Sequence, residues 1–369
     1  MMLLIQSLIN SRLEVFLAVE NILVMVTALV GNVLMCISVV RLLRKQLPSN
    51  LFILSLVVTD LGLCIFQLPV VISSLLNQRA YVLSNDSNSL GRVLCNITGV
   101  IYFCVRQVSF FAVCFIALDR YGALRFPLRY KILITYRRSV IATAVSWLIC
   151  LLIAVIPYFY WTSYTYSPVF IYCMWDIVNH PVLMKYVDFL FVPTFVISNA
   201  ILAFTSVANI VKLHTLAQRG RAQKLGNTSS LVKASRTALM VVLGFTICYV
   251  PRYALVFFKV DNTAPTQFWF YYRSISEMLI YLNSAVNPLI YIFRSRQYIQ
   301  EISLICGSVQ VHLENSNGRY QSMPLATLAS KATDMLSLPR QAYDRSRTAS
   351  PLSLSSNRHN KLEENNSRM

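Results

Sequence analysis

Long apolar stretches recur seven times along the chain, at roughly 15–40, 51–76, 97–119, 139–161, 187–211, 237–258 and 270–293. A helix of about 20 apolar residues crosses a bilayer, so the pattern predicts seven spanning helices. The stretches are not uniformly apolar. Pro69, Pro157, Pro193, Pro251 and Pro288 lie inside them, which a bundle tolerates because neighbouring helices re-satisfy the freed backbone groups. Asn32, Asp60, Arg106, Ser109, Asp188, Asn199, Arg252, Glu277, Asn283 and Asn287 lie inside them too. Amide and ionisable side chains are costly in lipid, so this many in separate spans imply an internal polar pocket, pore or channel. Residues 1–14 are expected as a short outer segment without a cleavable signal pattern. After the seventh span, Phe293, Tyr298, Ile302 and Ile305 give residues 294–306 an amphipathic spacing. Residues 307–369, rich in Ser and Asn and poor in aromatics, are expected to form a disordered tail.

Composition agrees with a membrane protein: 56% of residues are hydrophobic and only 13% charged, against about a quarter charged in soluble domains. The net charge of +18 by itself would suggest nucleic acid or anionic surfaces as partners. Its distribution changes that reading. The segments after the first, third, fifth and seventh spans hold 25 of the 33 basic residues and seven of the 15 acids. The excess therefore lies wholly on one side. By the positive-inside rule that side is cytosolic, with the amino terminus outside. The surface suits anionic inner-leaflet lipids, and no nucleic-acid partner is expected. No zinc-spaced Cys/His cluster, phosphate-cradling glycine loop or nucleophile elbow is found, so an enzyme is not expected.

The polar residues within the spans form an ordered set of motifs: Gly31-Asn32, Leu56-x-x-x-Asp60, Cys95 and Asp119-Arg120-Tyr121 with Arg120 25 residues after Cys95, Trp147, Phe245-x-x-Cys248-Tyr249-x-Pro251, and Asn287-Pro288-x-x-Tyr291. In this order and spacing the chain resembles the rhodopsin-like (class A) G-protein-coupled receptors, over about residues 15–306. The resemblance implies an all-α membrane protein, a seven-transmembrane helix bundle of the plasma membrane, with a short amphipathic membrane-surface helix after the last span. It implies an extracellular ligand, activation of a heterotrimeric G protein by outward movement of the sixth span, and arrestin as a further partner. A seven-span channel or transporter, or a non-coupling partner of another receptor, is the competing class. The transporter reading expects repeated halves or interrupted spans, which the sequence lacks.

Residue by residue, the resemblance implies a disulfide between Cys95 and Cys173, which both face the oxidising side. It implies a sodium site at Asp60, Ser109, Asn283, Ser284 and Asn287, whose oxygens suit a hard cation, with no other cofactor. It implies a G-protein switch at Asp119, Arg120, Tyr121 and Tyr291. Three departures stand out: Ile201 where the fifth span usually carries Tyr, Leu231 where an acid often pairs with the arginine, and Tyr249 where Trp is usual. The first two predict ligand-independent signalling. Asn85 and Asn96 head outer-side glycosylation sequons, and Cys306 ends the amphipathic segment as a palmitoylation candidate. Serines and Thr348 within 345–356 are candidate phosphorylation sites for arrestin recognition.

The ligand site is expected in the outer half of the bundle, at Tyr102, Phe103, Arg106, Gln107, Asp188, Tyr249, Arg252, Tyr253, Glu277 and Tyr281. Arg106 lies 11 residues after Cys95, about 16 Å down a helix. A buried arginine needs an anion. Glu277, Asp188 and a ligand acid are all open as its partner. The resemblance disfavours a biogenic amine, because Tyr102 replaces the usual Asp, and a photoreceptor, because Tyr281 replaces the retinal-binding Lys. Peptides and small acidic or zwitterionic ligands fit best.

Overall fold

The computed structural model describes residues 2–77, 89–160, 164–167, 171–175, 181–222, 228–257, 266–306, 310–314 and 320–324. Two compact units divide the chain, Met1–Ile302 and Ser303–Met369. The first is a helix bundle. Its helices are α1 (Met2–Leu42), α2 (Pro48–Gly62), α3 (Leu68–Leu76), α4 (Ser89–Arg125), the single turn α5 (Tyr130–Leu133), α6 (Tyr136–Tyr160), α7 (Pro181–Ala222), α8 (Thr228–Phe257) and α9 (Thr266–Arg294). The short α10 (Arg296–Cys306) follows. A π-turn at Leu63–Gln67 joins α2 to α3, so those two form one rod, and seven rods stand in the positions the apolar pattern predicts. Among the described residues, six are long and apolar enough to cross a membrane. The remaining rod is α9, which spends much of its length on Arg273, Glu277, Asn283 and Asn287.

Two expectations change. The first helix begins at Met2, so residues 2–14 continue α1 rather than forming a separate segment. Apolar periodicity marks where lipid begins and not where backbone hydrogen bonding begins. In the second unit, Gln310–Glu314 (β3) pairs antiparallel with Tyr320–Pro324 (β4), within the stretch expected to be a disordered tail. Val311 and Tyr320 are of strand-favouring types there.

The core of the bundle gathers on α4. Phe110 is fully buried and meets Phe195 of α7 and Phe245, Tyr249 and Tyr253 of α8, all edge-on, at 4.9–5.9 Å between centroids. Such edge-to-face contacts suit the ring quadrupole. Close helix approach is secured at Gly31, where a Cβ would meet Pro288 Cγ at 2.8 Å. Asn32 reaches across from the same turn and donates to Ser284 O at 2.9 Å. Trp147 Nε1 donates to Ser55 Oγ at 3.0 Å, tying α6 to α2. Asn199, by contrast, donates to Phe195 O four residues back and is satisfied within its own helix.

A two-stranded hairpin, β1 (Tyr164–Ser167) and β2 (Tyr172–Trp175), caps one end of the pocket region. The Cys95–Cys173 disulfide anchors it to α4. Phe103 stacks on Trp175 at 4.3 Å. Tyr164 packs where a side chain at Gly99 would overlap its ring, and its hydroxyl donates to Ala154 O at 2.8 Å. Tyr164 N donates to Asn96 Oδ1 at 2.8 Å. Asn96 thus props the hairpin from α4. Asn85 lies outside the described residues.

Candidate functional site

The outer half of the bundle brings most of the expected ligand residues together around one carboxylate. Tyr102 and Arg106 sit four apart on α4 and so share a face. Arg252 stands on α8 and Glu277 on α9. Arg106 and Glu277 are each only 7% exposed. Tyr102 donates to Glu277 Oε2 at 3.1 Å. Arg252 Nε donates to Glu277 Oε1, and Arg106 Nη1 lies 3.8 Å from that same oxygen while donating to Tyr102 Oη. Arg252 Nη2 also reaches Tyr172 Oη of β2 at 3.3 Å. One acid therefore serves two arginines, and the nearer is Arg252.

Arg106 is the less satisfied of the two. Its Nε is buried without a hydrogen-bond partner. Its guanidinium faces the rings of Tyr102, Tyr249 and Tyr253 at 5.5, 5.8 and 5.4 Å. Cation–π contacts of this kind offset part of its desolvation but leave a directional donor unused. Of the partners the sequence leaves open, Glu277 is the one within reach of Arg106, while the side chain of Asp188 lies outside the described ones. Tyr281 accepts a 3.5 Å hydrogen bond from Gln67. Tyr249 stacks on Phe245 at 4.1 Å and Tyr253 on Phe195 at 3.8 Å. Phe103 points instead to Trp175 and holds the hairpin. Gln107 is buried but, among the described hydrogen bonds, makes none to the cluster.

Mid-bundle, Asn287 donates to Asp60 Oδ2 at 2.9 Å. Buried oxygens without partners cluster on the facing stretch of α9: Asn283 Oδ1, Ser284 Oγ and Asn287 Oδ1. Ser109 donates to Thr59 Oγ1 at 2.9 Å, which leaves its lone pairs available. Orphaned acceptors beside a buried carboxylate are the donor set a small hard cation takes, so these residues fit sodium.

At the inner end, Asp119 is 1% exposed and receives three side chains. Arg120 Nε donates to its Oδ2 at 2.9 Å, Ser49 Oγ to the same oxygen at 2.9 Å, and Tyr130 Oη to Oδ1 at 2.6 Å. Arg120 Nη2 also donates to Ser49. Burial, reinforced by the Asp119 carboxylate, holds the Tyr130 phenol above its ordinary pKa, so it remains a donor. Tyr291 is buried with an unpartnered hydroxyl and lies edge-on to Tyr298 at 5.8 Å. Tyr298 donates to Asn50 at 3.3 Å, pinning α10 to α2. Tyr121 is set apart from this cluster, against Phe126 and Phe204. Ile201 packs on the core. The side chains of Leu231 and Cys306 lie outside the described residues, as does the stretch 345–356.

Sequence reasoning missed Ser49, Tyr130, Thr59, Gln67 and Asn50. Gln67 and Asn50 carried a signal, as amides in or beside an apolar span. The two hydroxyls on Asp119 carried none, because they come from loop-proximal positions with no periodic constraint.

The family described as "7 transmembrane receptor (rhodopsin family)" matches residues 31–291. Curated relatives include the dog adenosine receptor A2b, 26% identical over 73% of this chain and 82% of its own length. The mouse galanin receptor type 2 is 26% identical over 78% and 75%. The Xenopus laevis melatonin receptor type 1C is 26% identical over 79% and 68%.

Proposed function

This chain belongs to the rhodopsin family of seven-transmembrane receptors, and on that premise we propose how it takes its ligand and holds its resting state. It is a G-protein-coupled receptor, a multi-pass plasma-membrane protein and not an enzyme. A channel or transporter reading has no support from these relatives.

The ligand is an acidic or zwitterionic small molecule or peptide whose anion engages Arg106. The observation that carries this reading is the shared carboxylate: Glu277 is held more closely by Arg252 than by Arg106, and Arg106 Nε is buried unpartnered. A ligand acid supplies the missing acceptor. Because Arg252 is on α8 and Glu277 on α9, a ligand anion that draws on this network loosens the tie between those helices and favours outward movement of α8. At the other end Arg120, freed from Asp119 and Ser49, becomes available to the G protein. The chain places Leu231 where the family's second acid often stands, so Asp119 is the arginine's main resting partner and agonist-free signalling follows. An arrestin-recruitment screen of peptides, organic acids and amines on the full chain should yield hits concentrated among the acids. Arg106→Gln should weaken those hits by tenfold or more, about 1.4 kcal/mol. Equal responses to amines, or hits indifferent to Arg106→Gln, would sink the reading.

Sodium at Asp60, Asn283, Ser284, Asn287 and Ser109 favours the resting state. Asp60, Asn283, Ser284, Asn287 and Ser109 would hold the ion with their oxygens, and its positive charge would balance the Asp60 carboxylate within the bundle. Agonist affinity should fall with added sodium, and Asp60→Asn should abolish that dependence. An unchanged sodium response in Asp60→Asn would count against the site. Arrestin binding through a phosphorylated 345–356 segment, a glycan at Asn85 and a palmitate at Cys306 complete the proposal.

A further inference from the structure

Around Arg120, the side chains of Ser49, Asn50, Asp119, Tyr130 and Tyr298 all have hydrogen-bond partners. On α7 and α8 the pattern reverses. Ser235 of α8 is wholly buried and its Oγ has no hydrogen-bond partner. Oδ1 of Asn209, on α7, is in the same condition in a side chain only 5% exposed. Both residues end buried stripes, Ser235 after Phe245, Val242 and Ala238, and Asn209 after Leu202 and Thr205. Ser235 also stands level with Arg120. Phe110 meets Phe245, while Arg106, a turn earlier on α4, faces Tyr249 and Tyr253, so α4 and α8 run antiparallel. Ten residues toward the inner end, about 15 Å on each helix, lead from that ring contact to Arg120 on α4 and Ser235 on α8. The buried positions between are apolar: Val113 and Ala117 on α4, Ala238 and Val242 on α8. Arg120 turns instead to Asp119 and Ser49, which leaves the Ser235 hydroxyl stranded.

We propose that Ser235 and Asn209 set the agonist-free level of signalling by making the packed inner end costly. Most buried polar atoms in folded proteins find a partner. One that does not carries its whole desolvation penalty. When α8 moves outward, water reaches both groups and the penalty is relieved. The packed arrangement is therefore disfavoured, relative to the open one, by whatever these two atoms lose inside it. An apolar side chain of similar size has no such loss, so replacing either group should favour the packed arrangement. This rests on the reading that Arg120 acts on a G protein once α8 has moved, and adds what decides how often α8 moves without a ligand.

The test measures opening and coupling separately, on the full chain in lipid nanodiscs. Ala238→Cys, a turn from Ser235 on the same buried stripe, introduces a thiol whose modification by a water-soluble methanethiosulfonate reports opening of the inner end. Modification of the native cysteines, read on the chain without Ala238→Cys, is subtracted. Adding Ser235→Ala should slow the modification at least about fivefold, the lower end of the cost of a buried unsatisfied hydroxyl. Asn209→Leu, which nearly keeps the side chain's size, should slow it too. Agonist-free nucleotide exchange on a heterotrimer should fall in step in both variants. Ser38→Ala is the control. Its hydroxyl is equally buried but donates to Leu34 O at 2.8 Å, so both rates should stay within about twofold of the parent chain. Faster modification in Ser235→Ala would mean that the hydroxyl holds the inner end shut, and would overturn the proposal. Unchanged modification in Ser235→Ala and Asn209→Leu, or equal slowing by Ser38→Ala, would overturn it as well. If modification slows as expected while no chain drives exchange, the reading of Arg120 fails and the bias stands.

Discussion

Glu277→Gln is expected to cost the folded receptor about 3–5 kcal/mol, the range for breaking a buried ion pair by removing one partner. The reason is specific to the geometry. The substitution keeps the shape of the side chain and a hydrogen-bond acceptor for Tyr102 or Arg252, but withdraws the one negative charge that two buried guanidiniums share. Both arginines stay protonated, since nothing available in the bundle removes that proton. The penalty therefore comes mainly from the uncompensated positive charge and only in small part from a weaker hydrogen bond. It follows that the double variant Glu277→Gln with Arg252→Gln should be more stable than Glu277→Gln alone. Pairing Glu277→Gln with Arg106→Gln should also rescue it, but less, because Arg106 stands farther from the carboxylate, at 3.8 Å. Thermal denaturation of purified variants in one detergent gives the cycle. A Glu277→Gln receptor as stable as wild type would mean that the three charges are not coupled.

The second large effect concerns the hairpin over the pocket. Cys173→Ser removes the link to Cys95, 78 residues away in sequence, and should cost about 2–4 kcal/mol. The consequence should be loss of folded receptor at the cell surface, read by antibody labelling of intact cells. Gly99→Val should reach the same phenotype by an independent route. Gly99 is where the Tyr164 ring rests on α4, and any side chain there overlaps it. Tyr164 cannot withdraw cheaply, because its hydroxyl is bonded to Ala154 O and its amide to Asn96. Cys173 and Tyr164 thus secure the two strands of one hairpin separately. Normal surface expression and ligand response in Gly99→Val would contradict that packing.

The seven rods were legible in the sequence because lipid imposes a length: an apolar run of about 20 residues matches the thickness of the hydrocarbon core. The polar members of the site were legible for the same reason, since Arg106 and Glu277 stand out against an apolar background. Which of them meet was not legible. Hydropathy carries no information on how α8 is rotated about its axis, so Arg252 could be placed in the site but not on Glu277. Phe103 shares the region of Tyr102 and Arg106 on α4, yet the hairpin draws it to Trp175, a tertiary contact no local pattern encodes. The π-turn at Leu63–Gln67 left only Pro69 as a trace. Ser49 and Tyr130 escaped notice because a hydroxyl near a loop is ordinary until a buried carboxylate is found beside it.

Arg120, held by Asp119 and Ser49, is on this reading the element through which the receptor acts on a G protein. Agonist-free nucleotide exchange tests that role most directly. The purified full chain in nanodiscs is mixed with heterotrimers representing each G-protein class, and binding of a non-hydrolysable GTP analogue is followed over time. Exchange should exceed the empty-nanodisc rate with at least one heterotrimer, and should be lost in an Arg120→Ala variant of unchanged thermal stability. Exchange that persists undiminished in Arg120→Ala, or that never rises above background with any heterotrimer, would contradict it.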